Sequence, residues 1–152
     1  MMKSFARLND KGLTLIELLA VLVILGIIAA IATASILSLV QNSRDKAFVG
    51  NAYALNEAAG YFVKHEVTSG NTLAQRITFS MVSEAGFMEA FKDPYTGNYV
   101  EPSDASFVEI EGEHIRAVCL YGENRNLCSY NGASGKPIPV HELSVDLIVK
   151  DN

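Results

Sequence analysis

Three scattered histidines, two cysteines and no glycine-rich phosphate loop leave this 152-residue chain short of the usual equipment of catalysis. His65, His114 and His141 share no recognisable motif with a serine or cysteine nucleophile. Cationic residues are few: 12 Lys and Arg stand against 17 Asp and Glu, a formal charge of −5. That balance argues against a generic nucleic-acid surface. Charge of either sign is missing altogether from Leu18 to Val40, where only Thr33, Ser35 and Ser38 are polar. A signal-peptidase site is missing as well. The small-x-small candidate Ala32-Thr33-Ala34 lies inside the continuing apolar run, which is already too long for a secretory h-region.

What is present begins with that run. Its 23 residues make roughly 34 Å of helix, enough to span a bilayer core. Lys3, Arg7 and Lys11 precede it against a single Asp10, so the N-terminus is expected in the cytoplasm and the rest outside. One carboxylate, Glu17, stands at the mouth of the run. Carried to a bilayer centre, an acidic side chain costs about 2.5–3.5 kcal/mol on insertion scales, so such residues are read as functional. The plainer reading makes Glu17 an acid at a helix N-terminus, favoured by the macrodipole.

The segment Lys11-Gly12-Leu13-Thr14-Leu15-Ile16-Glu17, with the apolar helix behind it, resembles the leader of type IV prepilins, most closely those of Gram-positive type IV pilins. Gly12 matches the family's cleavage glycine, Glu17 its glutamate, and Leu13 takes the place of the usual phenylalanine. Gly26 falls where the family often has glycine, while Ala34 replaces a frequent helix-bending proline. The resemblance implies cleavage after Gly12 by a prepilin peptidase and N-methylation of Leu13. It further implies a homo-oligomeric helical filament, with Glu17 meeting the cationic amine of a neighbouring Leu13 during assembly. An assembly platform protein and its ATPase are the implied partners. The expected organisation is a leader (1–12), a transmembrane or filament-core helix (13–40) and an extracytoplasmic head (41–152). Beyond Gly12 the chain keeps 9 basic and 16 acidic residues, a formal charge of −7.

Past Val40 the chain turns polar without a proline or glycine pair. Phe48, Ala52, Leu55, Ala59 and Phe62 then recur at helical spacing. One helix is expected from about Thr14 to His65, stopped at Thr68-Ser-Gly-Asn71. A short helix is expected over Phe79–Phe91, with Gly86 capping or interrupting it. Asp93-Pro-Tyr-Thr-Gly-Asn98 is a turn, and resembles the Asp-Pro-x-x-Gly turn of Gram-positive pilins and related pseudopilins. Asp93, Glu101 and Asp104 are oxygen donors, but they lack the spacing of a calcium loop. Strands are expected at Ser106–Glu111, His114–Tyr121 and Glu142–Val149, with turns at Gly112-Glu113 and Asn131-Gly132. The acids Glu109, Glu111 and Glu113 read as a solvated face. The fold class is α+β: a long helix, membrane-spanning in its first half, backed by an antiparallel sheet of three or four strands.

Cys119 and Cys128 fall in the exported part, where a disulfide is favoured. A zinc pair with His114 or His141 has no matching spacing. No catalytic residue, metal, cofactor or specific nucleic-acid partner is expected. Two functions share the prepilin leader: a pilus subunit exposed at the cell surface, serving adhesion, motility or DNA uptake, and a pseudopilin of type II secretion. A signal-anchored extracytoplasmic binding domain is the reading from a different class.

Overall fold

The computed structural model describes residues 14–151. Helix α1 runs Leu15–Thr68, three residues past the expected end. It closes where Gly70 takes a φ of +76°. The chain divides at Val40/Gln41 into two units.

In the first unit every large apolar side chain from Leu15 to Val40 is exposed, Leu15 at 88% and Leu39 at 68%. Two of its three polar side chains past Glu17 bond locally. Thr33 Oγ1 donates to the Ala29 carbonyl (2.8 Å) and Ser38 Oγ to that of Ser35 (3.0 Å). Such back-bonding hides hydroxyls from an apolar medium.

The second unit is an α+β head. From α1, Phe48, Ala52, Leu55, Ala59 and Phe62 are all buried, joined by Val49, Ala58 and Val63. They pack against Ile77, Val108, Val118, Leu120, Leu127 and Ile138 from the sheet. The main sheet is larger than the sequence suggests. Strands β1 (Arg76–Thr78), β4 (Phe107–Glu111), β5 (His114–Tyr121), β6 (Arg125–Leu127) and β10 (Val149–Lys150) lie in that order, with β9 (Ile138–Pro139) also on β5. Every pairing is antiparallel. Two small hairpins stand apart: β2 (Phe91–Lys92) with β3 (Tyr99–Val100), and β7 (Ser129–Tyr130) with β8 (Ala133–Ser134). Several of these strands are two residues long, too short to show an alternating pattern.

A register shift in β4–β5 sets which residues face the core. Glu109 opposes Ala117, but Ile110 opposes Ile115, so Arg116 is the extra residue. Strict alternation from the buried Val118 would turn Arg116 inward. The bulge reverses that parity. Ile115 packs on the core, and Arg116 is exposed beside Glu111, with Nε 2.6 Å from Oε2.

Two expected elements are corrected. Helix α2 spans only Phe79–Glu84, and Phe91 belongs to β2. Thr78 Oγ1 caps its start by accepting from the Met81 N–H (3.3 Å). Its end is a Schellman motif: Gly86, at φ +81°, donates to Ser83 O (2.9 Å), and Phe87 N–H to Val82 O (3.1 Å). The expected strand Glu142–Val149 is instead two 3-10 turns, Val140–Glu142 and Val145–Leu147, followed by the short β10. Leu143, Leu147 and Ile148 reach the core while Val145 is exposed. Contacts four and five residues apart suit turns rather than an alternating strand.

Three segments meet at Asp93, which is fully buried. Its Oδ1 accepts from the N–H of Tyr95 (2.8 Å) and Thr96 (3.4 Å), and its Oδ2 from the N–H of Glu123 (2.9 Å). Tyr95 then donates its hydroxyl to Asp45 Oδ1 on α1 (2.6 Å), beneath the Arg125 guanidinium 4.1 Å from its ring centre. Burial, then the Asp45 bond and charge, hold the Tyr95 phenol above its ordinary range. Gly122 makes the close approach possible. A Cβ there would lie 2.6 Å from Asp93 Oδ2 and 2.8 Å from Phe48 Cε2. Gly122→Ala is therefore expected to lower stability by about 1–3 kcal/mol through overpacking, read as an earlier urea midpoint of the full chain in detergent.

Candidate functional site

The N-terminal end of α1 is built by Thr14 and Glu17. Thr14 precedes the first helical residue. Its N–H donates to Glu17 Oε2 (2.7 Å), its hydroxyl donates to the same oxygen (2.9 Å), and the Glu17 N–H points back at Thr14 Oγ1 (3.4 Å). This reciprocal arrangement is a capping box, which satisfies donors that a helix start leaves orphaned. The sequence carries the box as Thr14-x-x-Glu17, a pairing that the reading of Glu17 as a lone acid does not include. Thr14 thus orients the carboxylate through two hydrogen bonds at the very start of the apolar run.

Behind the cap lies the segment long and apolar enough to cross a membrane, with none of its most apolar window buried. Gly12 and Leu13, the expected cleavage and methylation positions, lie outside the described residues.

The remaining candidates sit in the head. Cys119 and Cys128 are joined as a disulfide with Cα atoms 4.5 Å apart. They face one another across β5 and β6, one step from the Leu120–Leu127 pair. With Phe107 they form a second apolar cluster, separate from the one that packs on α1. Asp93 spends its oxygens on backbone N–H groups, while Glu101 and Asp104 are exposed. Among the described residues no three His, Cys, Asp or Glu side chains converge as a metal set.

Residues 7–33 match the family described as the prokaryotic N-terminal methylation motif. That motif is characteristic of type IV pilins and pseudopilins, so the chain is prepilin-like at its N-terminus, and its α+β architecture is pilin-like. The motif is one that structural subunits carry. No curated protein and no solved structure is detectably similar to the chain.

The bridge closes a short hairpin, so loop-closure entropy makes it worth about 2.5–3 kcal/mol. Cys119→Ser is expected to lower the unfolding free energy of the full chain by that order. Thiols titratable in the native, oxidised protein without denaturant would contradict it.

Proposed function

We propose that this protein is a structural subunit of a type IV pilus filament. One observation carries the reading: the methylation motif over residues 7–33 is continuous with an apolar helix whose side chains are exposed all round up to Val40. An apolar surface of that length needs a bilayer first and a protein partner afterwards. Identical helices supply that partner when subunits bundle, and a heterologous contact that does not close gives a filament.

In this scheme residues 1–12 are the leader, 13–40 the anchor and filament core, and 41–152 the exported head. The precursor sits in the cytoplasmic membrane with its N-terminus inside. Prepilin peptidase cuts between Gly12 and Leu13 and methylates the Leu13 amine. The platform protein and its ATPase then extract the subunit into the growing fibre at the cell surface. Glu17 is the counter-charge for the Leu13 amine of a neighbouring subunit. Among the described residues its capping box uses Oε2 alone, so one oxygen can hold the helix end while the other meets the cation.

Mass spectrometry of the membrane or fibre protein is expected to find an N-methylated Leu13 at the new N-terminus. A chain still beginning at Met1, or one starting after Ala34, would overturn the reading in favour of a signal-anchored domain. A type II secretion pseudopilin shares the same processing. Electron microscopy of sheared surface filaments, with this chain as their main protein, separates the two.

Glu17→Gln tests the mechanism. Glutamine also serves at the third position of a capping box, so the helix end, membrane insertion and cleavage are expected to survive. What is lost is the charge opposite the neighbouring amine. Cleaved Glu17→Gln protein is expected to accumulate in the membrane with few or no fibres. Normal filament yield would reduce Glu17 to a cap.

A further inference from the structure

The sheet carries a groove on the face opposite α1. Four residues form a transverse row across it: Arg76 opposes Glu109, Glu109 opposes Ala117, and Ala117 opposes Pro139. Tyr130 from β7 and Lys136, just past β8, line the same open groove of about 460 Å³. The small side chain of Ala117 leaves the floor open. The disulfide lies one row away, since Cys119 opposes Phe107 and Cys128 directly precedes β7. A covalent bond therefore ties the hairpin to the sheet beside the groove.

The lining has a definite chemistry. The Arg76 guanidinium lies 3.8 Å from the Phe107 ring centre and reaches Glu109 Oε1 through one nitrogen at 3.3 Å. Its other donors remain for a ligand. Lys136 Nζ rests 5.4 Å over the Tyr130 ring and, among the described residues, pairs with no carboxylate. Two cations in one groove call for an anion. Glu109 in the same row repels a bare anion and accepts hydrogen bonds from hydroxyls. Tyr130, Pro137 and Pro139 add apolar surface of the kind that receives the C–H face of a ring.

We propose that this groove binds a sugar acid, a pyranose that presents a carboxylate to Arg76 and Lys136 and hydroxyls to Glu109. Free uronates and the uronate units of acidic polysaccharides share this chemistry. The proposal does not depend on filament assembly, because every residue it uses lies in the head of one chain.

Saturation-transfer NMR and calorimetry on the full-length protein in non-ionic detergent test it, with D-glucuronate, D-glucose, acetate and inorganic phosphate as probes. Glucuronate is expected to bind, with glucose, acetate and phosphate each weaker by about tenfold or more, the worth of one charge-assisted contact. Lys136→Gln, on an exposed hairpin, and Arg76→Gln are each expected to weaken glucuronate by about tenfold. A glucuronate oligosaccharide binding more tightly than the monomer would identify the polymer as the source; equal affinity per chain end would identify the free acid. Equal binding of glucose overturns the carboxylate role. Equal binding of acetate or phosphate overturns the sugar. Absence of saturation transfer, or full affinity in Lys136→Gln, overturns the site.

Discussion

Everything in this protein turns on a change of medium along one helix. Up to Val40 the large apolar side chains of α1 are exposed among the described residues. From Phe48 onward the same helix buries a full stripe. Leaving a single Leu or Ile side chain in water rather than burying it forgoes about 1.5–3 kcal/mol. More than a dozen such residues stand in the first unit. An apolar medium outside the described fold must supply what the fold does not, and the methylation motif lies at the head of this same run.

The second half of α1 then organises the head. A helix with an apolar stripe requires a sheet, and the sheet needs its own parity to be right. Val108, Ile110, Val118 and Leu120 alternate inward without difficulty. Arg116 would break the pattern, and the bulge at Glu109/Ile110 removes it from the count. On the other face the same alternation places Cys119 and Cys128 together with Phe107. The sheet therefore has two apolar sides of very different size, one covered by α1 and one pinned by the disulfide beside Phe107.

Asp93 plays a comparable part for the loops. A carboxylate with no exposed surface is tolerated because three backbone N–H groups point at it. Those donors come from its own turn and from the β5–β6 connection, so one side chain fixes two loops against each other. Tyr95 extends the network to Asp45 on α1. Oxygen donors of this kind resemble a metal set in a sequence, yet here the ligands of the carboxylate are amide hydrogens.

The sequence by itself determined the features that rest on local rules. The charge-free run, the helical stripe from Phe48 to Phe62, the Gly112 turn and the Asn131-Gly132 turn all follow from residue type and spacing. The structure places Gly112 at φ +64° and Asn131 at +53°. Thr14-x-x-Glu17 was equally local and legible. Tertiary structure decided the rest. The C-terminal segment alternates like a strand, but it wraps in 3-10 turns, with Leu143 and Leu147 on the core, before Val149 and Lys150 pair with β6. Helix α2 stops at Glu84 because Gly86 closes a Schellman motif and Phe91 pairs with Val100. The bulge lies within one hairpin, but the burial of Asp93 against Glu123 and the groove that joins Arg76 to Pro139 over Ala117 bring together residues tens of positions apart. Contacts of that separation are set by the closing of the whole sheet, and no window of sequence contains them.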